Sequence, residues 1–123
     1  MSNQSNENKI YDQKCKLLLN EKETRYVGII NHMGRQIAGG YKKTITPLVD
    51  EEEHKISLEH TMELLLTKDL DNSLGPIETI ITRRRKVTMI TIPLSKVSIL
   101  ISAERDSNAE KIAEKALKLF SID

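Results

Sequence analysis

Three segments crowded with β-branched residues, 77–82, 87–92 and 97–102, dominate the second half of the chain. Such residues suit a pleated, half-buried surface, so each segment reads as a strand. Val87 and Met89, like Val97, Ile99 and Ile101, alternate in part with Thr and Ser. One packed face and one wetter face is the antiparallel signature. Pro93 ends the middle strand.

Residues 25–30 and 35–41 add two more strands. Asn31, His32, Met33 and Gly34 supply the turn between them, with Gly34 free to take positive φ. A hairpin is the natural connection, because a parallel partner needs a far longer crossover. Gly28, Gly39 and Gly40 are expected at bulges or where a helix packs closely.

Helical periodicity frames these strands. Residues 9–20 carry Ile10, Tyr11, Cys15, Leu17, Leu18 and Leu19 as a mostly one-sided stripe, which suits a short amphipathic helix. Asp50, with Glu53 three positions on, caps a helix expected to reach Leu70, where the run from Asp71 to Pro76 stops it. Ser107 and Glu110 form a second capping box ahead of Ile112, Ala113, Ala116, Leu117 and Phe120. The expected fold is therefore a single α+β domain over residues 9–123, ordered α-β-β-α-β-β-β-α, behind a flexible polar lead-in at 1–8. A chain of 123 residues can close one such core without disulfides or a structural metal.

The helix at 50–70 carries more apolar surface than one buried face requires. Leu58, Met62 and Leu65 lie on one side, while Leu64 and its neighbours lie on another. The excess points to a second contact, and a subunit is the simplest occupant.

Catalytic chemistry finds no foothold. The lone Cys15 cannot form an internal bridge, which argues for a reducing cytoplasm, and its apolar helix makes it a core residue. Gly39 and Gly40 lack the following Lys-Ser/Thr of a phosphate loop. His54 and His60 stand six apart on one helix and point to different sides, and Glu59, His60 and Glu63 read as a solvated face rather than a metal site. No nucleophile and base can be placed together. Neither a signal peptide nor a membrane span is present. A cytoplasmic protein with no catalytic residue, cofactor or metal is expected.

Lys plus Arg number 19 and Asp plus Glu 18, a net charge of +1. A general polyanion binder carries a larger excess, and with three Tyr, one Phe and no Trp the chain lacks stacking platforms for single strands. The positive charge is local, in Arg83, Arg84, Arg85 and Lys86. This run reads as a solvated hairpin tip that discourages edge-to-edge aggregation. Its functional reading is an anion contact, with an acidic protein surface ahead of nucleic acid.

The element order and two short stretches resemble a known family. Residues 28–38, Gly-Ile-Ile-Asn-His-Met-Gly-Arg-Gln-Ile-Ala, are similar to the first hairpin of the roadblock/LC7 family, the dynein-light-chain-like branch of the profilin-like folds. Residues 99–108 are similar to its last strand and the lead into its final helix. The pattern N-x-M-G-R-x-I-A-G-G at 31–40, with T-R-R-x-K at 82–86, also resembles a small archaeal family without an assigned activity. The roadblock resemblance implies a five-stranded antiparallel sheet flanked by helices. It implies homodimers or heterodimers through the central helix and adjoining strand, which makes Ile56, Leu58, Met62, Leu66, Ile77, Thr79 and Ile81 the interface candidates. It further implies a non-catalytic adaptor or regulator of a small Ras-like GTPase or another signalling protein, although no residue here matches a GTPase-contacting motif. The rival readings are a PAS- or GAF-type small-molecule sensor, whose pocket this chain would line poorly with aromatics, and a nucleic-acid-associated protein using the basic turn.

Overall fold

A computed structural model of the chain describes residues 2–46 and 53–120, with side chains at 6–46 and 59–120. In chain order the elements are α1 (Ser2–Leu19), β1 (Thr24–Asn31), β2 (Gln36–Tyr41) and α2 (Glu53–Leu66). There follow α3 (Asp71–Leu74), β3 (Ile80–Arg83), β4 (Val87–Pro93), β5 (Val97–Glu104) and α4 (Ala109–Phe120). A single 3-10 turn, Lys68–Leu70, joins α2 to α3. The strands form one antiparallel sheet in the order β2-β1-β5-β4-β3. This is the five-stranded antiparallel sheet with helices on both faces expected from the sequence.

The pleat sorts side chains onto two unequal faces. Val27 and Ile29 of β1, Ile90 and Ile92 of β4, and Ile99 and Ile101 of β5 project to the first face and are fully buried. Cys15 and Leu18 of α1 and Ala109, Ile112, Ala113, Ala116 and Phe120 of α4 cover them. The Tyr11 and Phe120 rings stack at 6.3 Å and tie the two helices together. Each such aliphatic side chain contributes about 1.5–3 kcal/mol by leaving water, so this layer supplies most of the stability.

The second face has far less to bury. Its apolar cluster is Tyr26, Ile30 and Leu100, with Tyr41 and Met89 against it. Strand register places Gly28, Thr91, Ser98 and Ser102 on the same side. His60 of α2 reaches Thr91, so α2 lies over this poorer face.

Where the structure departs from expectation, local chemistry explains it. Helix α1 begins at Ser2, within the stretch expected as a lead-in. Once Tyr11, Cys15 and Leu18 pack on the sheet, added N-terminal turns carry no nucleation cost. Helix α2 ends at Leu66 instead of Leu70. There the Thr67 hydroxyl donates back to the carbonyls of Leu64 at 3.0 Å and Glu63 at 3.3 Å, which competes with continuation of the ladder. The residues expected as its stop form α3, which closes on Gly75 at φ 84°. Strand β3 starts at Ile80, not Ile77. Continuing its register would set residue 78 opposite Pro93, which has no N–H to donate. The Asp50 cap lies outside the described residues.

The first hairpin contains a bulge, with Ile29 facing Ala38 but Ile30 facing Gln36. Gly34 turns the chain at φ 84°, as expected. Gly39 sits at φ 92°, and a Cβ there would strike the Val27 carbonyl. Its amide donates to the Asp12 carboxylate at 2.8 Å, which holds α1 to the bulged strand.

The cap of α4 is Asn108, whose Oδ1 accepts from the Lys111 amide at 3.1 Å. Ser107, expected in that role, instead has a buried hydroxyl with no partner among the described residues. Asn108→Ala should lower the unfolding free energy by about 1 kcal/mol, while Ser107→Ala should be neutral or mildly stabilising. Urea melts of the two variants check this ordering.

Candidate functional site

Among the described side chains of α2, Met62, Leu65 and Leu66 stay in water. Of residues 59–66, only Thr61 is buried. Met62 is 53% exposed, Leu65 60% and Leu66 79%. Leu70 and Leu74 extend the exposed apolar surface past the end of the helix. Met62 and Leu66, one turn apart, lie on the same stripe. A monomer surface tolerates isolated apolar residues, whereas larger contiguous apolar patches are characteristic of interaction surfaces. Beyond it, β3 stands at the edge of the sheet with one side unpaired.

The expected interface residues divide by position. Met62 and Leu66 lie on the open stripe, while the side chains of Ile56 and Leu58 lie outside those described. Ile77 and Thr79 are half-buried on the segment leading into β3. Ile81 faces Ile90 and packs against the main core.

The basic run also divides. Arg83 is a structural clamp. Its guanidinium donates to the Thr88 hydroxyl at 3.0 Å, the Arg105 carbonyl at 2.9 Å and the Ser107 carbonyl at 3.1 Å. Thr88 in turn donates to the Arg105 carbonyl at 2.9 Å. These bonds fasten the β3–β4 hairpin to the loop before α4, and the Arg84 amide closes the turn on the Val87 carbonyl at 2.9 Å. Arg84, Arg85 and Lys86 are exposed on this rigid base and form no ion pair among the described residues.

Between α2 and β4 lies a polar contact. His60 Nδ1 and Thr91 Oγ1 share a hydrogen bond of 2.7 Å. Burial pushes the His60 imidazole below its ordinary pKa; Glu63 and Glu59 oppose that shift, and Arg84 adds to it. Toward the C-terminal half of α2 this interlayer opens into a cleft of about 430 Å³, bounded by α2, α3, the β1–β2 turn and the β4–β5 turn. On the opposite face, burial pushes the Cys15 thiol up to about 12, so it stays protonated and inert. Among the described residues no group of three His, Cys, Asp or Glu could hold a metal ion, and no helix is long and apolar enough to cross a membrane.

A family model spanning residues 4–121 matches the chain. The chain belongs to DUF6659, a family of unknown function. No curated protein matches it in sequence. Solved structures show what fold the DUF6659 chain adopts. A roadblock/LC7 domain from Streptomyces avermitilis superposes with a TM-score of 0.69 at 11% identity, covering 88% of this chain and 89% of that one. MglB in a tetrameric arrangement gives 0.71 at 10% identity, covering 88% and 83%. Myxococcus xanthus MglB gives 0.67 at 10% identity, covering 92% and 89%. This DUF6659 protein therefore has the roadblock/LC7 fold.

Two functional features escaped sequence reasoning. The Arg83 clamp had a readable signal, since alternation from Ile81 puts Arg83 on the α4 side of the sheet. The cleft had none, because it is assembled from segments far apart in sequence.

Arg83→Ala should cost about 1 kcal/mol of stability, discounted for its partial exposure, whereas Arg84→Ala should be close to neutral; urea melts separate them. For His60, the unfolded chain binds more protons than the folded one between the depressed folded pKa and the ordinary value of 6.5. Stability should therefore fall as pH drops below about 6.5. His60→Gln should flatten that part of a pH-stability profile.

Proposed function

We propose that this DUF6659 protein is a non-catalytic dimeric adaptor that acts on a small Ras-like GTPase or another signalling protein. The observation that carries the reading is the exposed stripe of Met62 and Leu66 on α2, together with the edge strand β3. Pairing two copies across that stripe and edge would remove apolar surface from water at about 25 cal/mol per Å² and satisfy the unpaired strand. The fold shared with MglB, which is found in a tetrameric arrangement, supports self-assembly. The resemblance to roadblock proteins supports the GTPase as partner. Arg84, Arg85 and Lys86 supply the charged rim of the docking surface, where they would steer an acidic partner.

Sedimentation equilibrium at micromolar concentration tests the assembly. The expected species is a dimer, and Met62→Lys should weaken it by at least about tenfold, because pairing would bury an uncompensated charge. Leu66→Lys should do the same. A strictly monomeric wild-type chain would refute the proposal.

A further inference from the structure

We infer that the cleft beneath the C-terminal half of α2 binds an amphipathic carboxylate, an anionic head on a hydrocarbon tail. Its volume of about 430 Å³ falls within the range of pockets that take small ligands. Ile30, Leu64 and Ile77 give it an apolar lining. Ile30 is almost fully buried, but Leu64 and Ile77 remain partly open to water, so an inserted tail would finish a burial that the chain leaves incomplete. Hydrocarbon placed there is removed from water, which favours binding.

The charges select the head group. Lys68 and Lys96 both line the cleft, against one carboxylate, Asp71. Neither lysine forms an ion pair among the described residues. Two ammonium groups at the border of an apolar cavity favour an anion and disfavour a cation of the same shape. A nucleotide is a poor fit, since no Tyr, Phe or Trp lines the cavity to stack on a base. Lys68 follows the Thr67 break in α2, and Lys96 sits on the β4–β5 turn that Pro93 begins. The features that interrupt regular structure therefore place both cations at the cleft. This site is separate from the Met62 and Leu66 stripe, and the inference does not depend on the adaptor reading.

Titration of the full chain with dodecanoate below its micelle threshold, followed by amide NMR shifts, tests the site. Dodecyltrimethylammonium, with the same tail and the opposite charge, serves as the control. Saturable shifts are expected at Ile30, Leu64 and Ile77, with dodecanoate at least about tenfold tighter than the cation. Changing both lysines, Lys68→Glu with Lys96→Glu, should cost dodecanoate about tenfold and reverse the preference. Ile77→Trp, which fills the cavity, should abolish both. If that variant fails to fold, the lysine pair still decides the matter. The absence of saturable shifts, equal affinity for the two amphiphiles, or shifts confined to Met62 and Leu66 would overturn the assignment. Sedimentation of the same samples reports on assembly separately, so loss of the dimer and loss of the ligand are distinguishable.

Discussion

The inequality between the two faces of the sheet governs the rest of the molecule. On the first face, Val27, Ile29, Ile90, Ile92, Ile99 and Ile101 are sealed by α1 and α4. On the second, glycine, serine and threonine alternate with only a few large side chains, Tyr26, Ile30 and Leu100 chief among them. A helix laid on that face can bury little, because the area available to remove from water is small. Among the described residues, a histidine–threonine hydrogen bond anchors α2 to that face. Met62, Leu65 and Leu66 are left over, and the open cleft follows from the same lack of filling side chains.

That leftover surface and the basic tip are held differently. The α2 stripe rests on a weakly packed layer, whereas the tip rests on three hydrogen bonds from Arg83. A charged rim on a rigid base keeps its geometry when a partner approaches, which lowers the ordering cost of association. In the proposed assembly, apolar area would supply affinity while the rim would guide orientation. The division within one run of four cations, one structural and three free, shows why net charge alone described this chain poorly.

Much of the architecture was legible because the strands announce themselves. β-Branched residues at 87–92 and 97–102 fixed β4 and β5 almost to the residue, and the turn at Gly34 fixed the first hairpin. Errors fell where a side chain competes with the backbone or where packing extends an element. Thr67 shortened α2, Pro93 denied β3 its first residues, and Asn108 took the cap from Ser107. Both Ser107 and Asn108 are good cap residues, so sequence could not choose between neighbours whose orientation depends on the Arg83 clamp. The excess apolar residues of α2 were also readable. The polar layer beneath them became clear only once the register placed Thr91, Ser98 and Ser102 on one face.

The central claim, that the stripe on α2 is covered by a second copy of the chain, is tested most directly in a mixed dimer. One half would carry labelled methyl groups and the other would not, with isotope-filtered NOEs reporting only contacts between subunits. The account gives intersubunit NOEs from the Met62 and Leu66 methyls, and none from Ile29 or Ile101 in the sealed core. A dimer in which the Met62 and Leu66 methyls show no intersubunit NOE would contradict it.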